Sequence, residues 1–195
     1  KNKDFSYSDS FFIKLNNVEG IVSVSKVYET KAYFKYMDKE SVGLLKGVDV
    51  NYFKTNSLAK YILHGDSLLE DESNSYSLIG IALNDKLNIN YQNKFESLSV
   101  YVPKTNTSVG LGLNSTFEVN YLTPRSVFSV YQEFDDKYVI APLSFVQYIS
   151  NKEDNYVTGL EIKTMNDANT DLIKDRIKDF LPSSLEVVDR LESNE

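Results

Sequence analysis

The run from residue 136 to residue 150, DKYVIAPLSFVQYIS, constrains the fold of this chain more than any other stretch. Residues 138–141 have the short, β-prone character of a buried strand. Pro142 follows, with its φ fixed and no N–H to donate, and Leu143, Val146, Tyr148 and Ile149 then recur at mixed helical spacing. The reading is a buried strand that runs straight into a short helix. Pro142 is expected at the first helical position, where a missing N–H leaves nothing unpaired. Residues 156–163 supply a second strand within one turn. The unit holds no nucleophile, metal ligand or phosphate loop, so its role is structural and function must come from what the scaffold displays.

With 195 residues and 42% hydrophobic side chains the chain can bury a substantial core, as one large domain or two small ones. Its 14 Tyr and 11 Phe, with no Trp, favour sheet over helix, because aromatic residues fit a pleated, half-buried surface. The net charge is -7 and the basic residues are scattered singly, which excludes nucleic acid as a partner: neutralising phosphates needs a clustered basic face. The absence of cysteine removes disulfides, thiolate zinc sites and a cysteine nucleophile together. No run approaches the roughly 20 apolar residues that cross a bilayer, and the first ten residues lack the apolar stretch of a signal peptide. An abrupt start in strand-like sequence predicts a domain within a longer protein.

In chain order, a short strand over residues 1–6 precedes a helix over residues 9–16, N-capped by Ser8, with Tyr7 and Phe12 placed as a hydrophobic staple. Residues 21–36 form a long strand whose alternation changes phase near Lys26 and Val27, which predicts a bulge or a bend there. A turn at residues 37–39 leads to a partner strand over residues 41–48, closed by Gly47. Toward the other end, residues 156–163 are a strand, 170–181 a helix stopped by Pro182, and 185–188 a strand. In that helix Ile173, Ile177 and Phe180 share a face. Both ends therefore read as β-α-β, and two such units pair as halves of one ferredoxin-like layer. Between them, residues 50–75 form a poorly periodic connector with a solvated acidic turn at Glu70, Asp71 and Glu72. A strand over 77–81, a short helix over 82–87 and a half-buried strand over 96–102 follow. Residues 103–124 read as a loop far longer than usual, which marks a functional or disordered segment. The fold class is thus α+β: a ferredoxin-like layer built from both termini with an inserted β-rich subdomain. The expected division is residues 1–55, the first half of the layer; 56–150, the insertion; and 151–195, the second half.

Catalytic chemistry finds no foothold. His64 is the single histidine and has no nucleophile elbow near it. Asp135 with Asp136, like Glu70 to Glu72, are adjacent acids of solvated turns rather than a general acid and base. Gly110-Leu111-Gly112 lacks the following Gly, Lys and Ser or Thr of a phosphate loop. The triplets at Asn106 and Asn114 carry no weight. No catalytic residue, cofactor or metal ligand is assigned.

Four blocks, in order, carry a resemblance: LKGVD at 45–49 with HGD at 64–66; SLIGIALNDKLNI at 77–89; FSVYQEF at 128–134; and YVIAPLSFVQYI at 138–149, leading into GLEIK at 159–163. Together they resemble the extracytoplasmic domain of the lipoprotein-releasing permease and macrolide-exporter superfamily of ABC transporters. They look most like the lipoprotein-releasing permeases of Bacteroides-like bacteria.

That resemblance implies a porter-like layer from both termini and an inserted sabre lobe. It places the domain between the first and second of four membrane helices, in the periplasm beside the inner membrane of a Gram-negative bacterium. ATP would be hydrolysed by a separate cytoplasmic ATPase subunit or domain, so the chain itself is no enzyme. The implied partners are a second permease copy or paralogue, lipoprotein cargo and a periplasmic chaperone. In one such permease a hairpin after a strand ending in Val-Pro hooks the chaperone. The matching place here is Val102-Pro103, followed by a loop from Lys104 to Arg125, longer than the family hairpin and without its Met-Gly-Arg-Ile-Pro-like tip. Lys104, Val109, Leu111, Leu113, Phe117 and Arg125 are therefore the candidate partner-contact residues. Two rival functions remain open: the same fold serving export of small molecules or peptides, or transmembrane signalling; and, in another class, a soluble hydrolase or binding protein.

Overall fold

The strand predicted at residues 21–36 is present at full length and organises everything around it. The computed structural model describes residues 4–93, 95–103 and 117–189, with the backbone alone at residues 117 and 118. In chain order these residues form β1 (Phe5–Ser6), α1 (Asp9–Asn16), β2 (Ile21–Tyr36), β3 (Lys39–Val48) and α2 (Tyr52–Thr55). A 3-10 turn (Leu58–Tyr61) leads to β4 (Ile62–His64), β5 (Tyr76–Gly80) and α3 (Ile81–Leu87). Then come β6 (Leu98–Pro103), β7 (Phe117–Phe128), α4 (Gln132–Asp135), β8 (Tyr138–Pro142) and α5 (Leu143–Ile149). The last elements are β9 (Tyr156–Val157), β10 (Gly159–Thr164) and α6 (Thr170–Lys178).

The helix starts follow from their caps. Ser8 Oγ accepts from the Phe11 N–H, and the Tyr7 and Phe12 rings meet at 5.8 Å, so the capping residue and the staple both stand as expected. Asn169 caps α6 in the same way, accepting from Leu172 N. At the far end of the fold, β1 pairs with β9 and β10 pairs with the first part of β2, all antiparallel, while α1 and α6 pack on one side. Leu15, Val24, Ile173 and Ile177 form the centre of that layer, and Phe11 meets Phe180 edge to face at 5.8 Å. This is the α+β layer of both termini that the sequence predicts.

Past this layer β2 runs on. Strand pairings β2–β3, β3–β8, β8–β5, β5–β7, β7–β6 and β6–β2 close on themselves, so six strands make a barrel with β2 and β3 among its staves. Closure leaves no strand edge among the six. Phe34, Tyr36, Leu45, Ile79, Leu98, Val100 and Leu122 fill the interior with Leu83 and Leu87 of α3 and Val146 and Ile149 of α5. Each side chain so buried contributes about 1.5–3 kcal/mol. Two strand-helix units, β5-α3 and β8-α5, lie antiparallel through Leu78 opposite Ile140 and Ile79 opposite Val139. Their joints are alike: Gly80 has φ -61° and ψ 140°, Pro142 φ -58° and ψ 140°.

Several expectations are corrected. No bulge occurs at Lys26 and Val27, where β2 keeps continuous register with both β10 and β3. The shift of apolar phase arises because that part of β2 is covered on both faces, Val24 by the terminal helices and Val27 by the α2 side. Pro142 is not the first helical residue; it is the last of β8, opposite Val48, and caps α5 from outside. Tyr148 lies off the buried stripe, 71% exposed, and Gln147 is buried instead, its Nε2 donating to the carbonyls of Asp154 and Tyr156. Gly47 does not close β3 but lets α5 approach it: an added Cβ would stand 2.7 Å from Val146 Cβ. The strand over 156–163 is split at Thr158, whose Oγ1 accepts from Glu29 N at 2.8 Å. The connector over 50–75 contains α2, the 3-10 turn and β4, while residues 185–188 form no strand and α6 ends at Lys178. The long loop contracts as well, because β7 already begins at Phe117.

Candidate functional site

Among the described residues, the base of the β6–β7 hairpin and a cleft between the terminal layer and the barrel are candidate places for meeting something else. The hairpin is framed by six antiparallel pairs from Leu98 opposite Leu122 to Pro103 opposite Phe117, so Val102-Pro103 does end a strand and residues 104–116 connect it to the next. Lys104, Val109, Leu111 and Leu113 lie outside the described residues. Phe117 opens β7, on the ladder rather than in the loop.

Arg125 sits further along β7, far from the loop in register. Its Nε and Nη2 donate to the two oxygens of Asp66 at 2.8 and 2.7 Å, and its guanidinium lies 4.8 Å from the Tyr76 ring. Those hydrogen bonds pull the Asp66 carboxyl down to about 2. The HGD block explains itself here. Gly65 takes a φ of +81°, and a side chain there would meet Ser126 Oγ at 2.2 Å, so only glycine lets the chain press against β7. Ser126 Oγ then accepts from Asp66 N and donates to Asp66 O. His64 is exposed and stacks on Tyr91 at 5.2 Å. The acidic turn is a local cap: Asp71 accepts from Ser73 N, Asn74 N and the Tyr76 hydroxyl, and the Tyr76 bond first of all lowers its pKa to about 2.

The cleft has a volume of about 1180 Å³ and lies between β10 and the α2, 3-10 and α4 segments, with Tyr61, Tyr131 and Phe134 on one wall and Leu160 and Ile162 on the other. At its floor Lys46 Nζ meets Glu161 Oε1 at 2.6 Å, with Asn56 Nδ2 3.5 Å from Oε2. Burial works against the Lys46 charge, but the Tyr52 hydroxyl and the Glu161 carboxylate outweigh it, and the lysine pKa rises. Burial pushes Tyr52 up to about 12 and raises Tyr138, whose hydroxyl donates to Glu29 at 3.1 Å. The raised values keep Lys46 protonated and Tyr52 and Tyr138 neutral near neutral pH. These groups brace β3, β10, β2 and β8 together. The LKGVD block is thereby accounted for: Lys46 makes the ion pair, Gly47 admits α5, Val48 is core, and Asp49 accepts from Ser25 Oγ and Asn51 N.

Sequence reasoning missed this brace. Its one signal was a lysine set among apolar residues in a strand, which requires a partner when buried.

No family profile matches the chain, and no curated protein matches it. Solved structures do. The periplasmic region of MacB from Actinobacillus actinomycetemcomitans superposes with a TM-score of 0.61 at 17% identity, over 92% of this chain and 75% of that one. The extracellular domain of the noncanonic ABC-type transporter YknZ from Gram-positive bacteria gives 0.59 at 13% identity, over 88% and 78%. A domain described as that of a permease from Porphyromonas gingivalis gives 0.50 at 12%, over 82% and 68%. The chain has the fold of the extracytoplasmic domains of MacB- and YknZ-type ABC transporters.

Proposed function

We propose that this chain is the periplasmic domain of an ABC transporter permease in a Gram-negative inner membrane, and that it couples cytoplasmic ATP hydrolysis to the extraction and hand-over of lipoproteins. The observation that carries the reading is the course of β2, a 16-residue strand whose first part is paired in the layer of both termini and whose last part is a stave of the barrel. A strand braced on both sides passes a displacement of the terminal layer to the barrel, and so to the β6–β7 hairpin. That is a rigid-body movement rather than a catalytic step. ATP hydrolysis belongs to a separate nucleotide-binding subunit, and a second permease copy completes the assembly. In this reading residues 1–55 and 151–195 form the porter-like part and residues 56–150 the sabre-like insertion, with β2 and β3 shared between them.

Partner contact falls to the hairpin, with Lys104, Val109, Leu111 and Leu113 as the residues that a periplasmic chaperone or the cargo meets. Two glycines beside Leu111 allow the backbone to turn an apolar side chain outward. The test uses cells that carry the intact transporter with Val109, Leu111 and Leu113 replaced by Ser. Lipoproteins are expected to accumulate in the inner membrane while the melting temperature of the domain stays within about 2 °C, since surface changes cost little. An unchanged lipoprotein distribution on depletion of the whole transporter would sink the lipoprotein assignment and leave export of another cargo.

A further inference from the structure

The connector that follows β3 has two attachments of different kinds. Its apolar side chains pack on the barrel: Tyr52, Leu58 and Leu69 are buried with Val48, Leu78, Phe128 and Ile140, and Phe53 packs against the same cluster. None of them belongs to the cluster of Leu15, Val24, Ile173 and Ile177 that fills the other face of the terminal layer. Against the near face of that layer the connector sets polar groups instead. Ser23 Oγ and Thr55 Oγ1 are 3.0 Å apart, Lys163 Nζ donates to Lys54 O at 3.0 Å, and Asn56 Nδ2 lies 3.5 Å from Glu161 Oε2. Ser23 is opposite Lys163 and Ser25 opposite Glu161, so alternate rows of β2 and β10 turn hydroxyls and charges toward α2.

The two attachments differ in what parting them costs. Apolar surface returned to water loses the gain of burial outright, whereas polar groups exchange a protein partner for water at small net cost. Polar contacts between parts of one chain therefore mark where those parts move. This seam also has a pivot. Asp49, just past β3, accepts from Ser25 Oγ at 2.8 Å and from Asn51 N at 3.1 Å, and its own N–H donates to Lys26 O. Ser25 is fully buried, and Glu161 opposite it is held by Lys46 Nζ. One row further out, Ser23 and Lys163 reach α2 through a hydroxyl pair and a single exposed hydrogen bond. The cleft follows the same line, with Thr55, Asn56 and Tyr61 on one side and Ile162 and Lys163 on the other.

We propose that α2 and the 3-10 turn form a strap fixed to the barrel, and that the terminal layer swings away from it on the Ser25–Asp49 pivot, parting Ser23 from Thr55 and widening the cleft. This is a hinge movement. Closed, the seam stiffens β2, and a displacement of the layer passes to the barrel; open, β2 bends and the cleft takes up the movement. That consequence rests on the transporter reading, whereas the seam itself does not.

The chain has no cysteine, so single thiols report the opening in the 195-residue chain itself. Thr55 is 8% exposed, Ser25 0% and Ser77 on β5 1%. The thiol of Thr55→Cys is expected to react with a small methanethiosulfonate at least about tenfold faster than that of Ser77→Cys, at a rate that stays flat in urea until unfolding begins. Ser25→Cys, at the pivot, is expected to stay as slow as Ser77→Cys. The amides of Thr55 and Asn56, bonded to the carbonyls of Asn51 and Tyr52, should show an opening equilibrium at least about tenfold smaller than the Thr55→Cys thiol does, because the strap stays on the barrel. Three results would each overturn the proposal. Equal, urea-dependent reaction at Thr55→Cys and Ser77→Cys would mean that the seam parts only on global unfolding. Amides as open as the thiol would mean that the strap melts off the barrel, and a Ser25→Cys thiol as fast as Thr55→Cys would remove the pivot. The distribution of lipoproteins in cells tests the transporter reading separately.

Discussion

Lys46 on β3 reaches across β2 to place its Nζ 2.6 Å from the Glu161 carboxylate on β10, so a single ion pair ties a barrel stave to the terminal layer. The lysine side chain is 12% exposed and the glutamate 33%. Removing one partner leaves the other charge poorly solvated, while replacing both by apolar groups need not. Glu161→Gln is expected to lower stability by about 1–3 kcal/mol, discounted for the open side of the cleft. Lys46→Met with Glu161→Leu should recover most of that loss in urea denaturation. Equal losses in the single and double variants would show that the pair is not coupled.

The same pair predicts a pH dependence at the alkaline end. The Lys46 pKa is raised in the folded protein, so the fold holds that proton more tightly than the unfolded chain does. Its contribution is complete below the unfolded value of about 10.4 and is lost as pH climbs toward the folded value. Lys46→Met should flatten the decline of the melting temperature above about pH 10.

At the acid end the sign reverses. Asp66 has its pKa lowered to about 2 by Arg125, so its contribution is present above the ordinary carboxylate value and fades as pH falls through about 2. The Asp66 side chain is 54% exposed, and screening limits the pair to about 1 kcal/mol or less. Asp66→Asn should remove a small part of the stability lost between about pH 4 and 2, and Arg125→Ala the same part. A larger loss at pH 7 from Arg125→Ala alone would report its packing on Tyr76.

Glycine positions sort by what an added methyl would touch. At Gly80 a Cβ would lie 2.3 Å from Asp135 O, which is backbone and cannot give way, whereas at Gly159 it would make ordinary contact with Val27 at 3.4 Å. Gly80→Ala is therefore expected to cost about 1–3 kcal/mol, and Gly159→Ala less than about 0.5. Thermal unfolding of the two variants checks the contrast.

Within the terminal layer Ile177 is 2% exposed but Phe180 only half-buried. Ile177→Ala should cost about 2–5 kcal/mol, the usual penalty for emptying a core site, and Phe180→Ala less than the full aromatic penalty of about 3–5. Chemical denaturation would refute the packing if Ile177→Ala cost under about 1 kcal/mol.

What the amino-acid sequence determined by itself is local. Ser8 caps α1, Tyr7 staples to Phe12, Asn169 caps α6, and β8 passes into α5 at Pro142, because each depends on groups within a few residues along the chain. The alternation of Leu98, Val100 and Val102 likewise gives away a half-buried strand. Where the apolar pattern of β2 changes phase, the same local rule predicts a bulge or a bend, and no bulge is there, since two-sided burial and a bulge write the same pattern into a sequence. The candidate site was visible only in part. Val102-Pro103 marks the base of the hairpin, but Arg125 is matched to Asp66 by a contact 59 residues long.

Tertiary structure alone decided the rest. The barrel closes through three pairs between β2 and β6, and Lys46 finds Glu161 115 residues away. Each depends on which strands become neighbours and in what register. A shift of one residue in any of those strands would turn its side chains to the opposite face, and no local pattern in the chain specifies the partner.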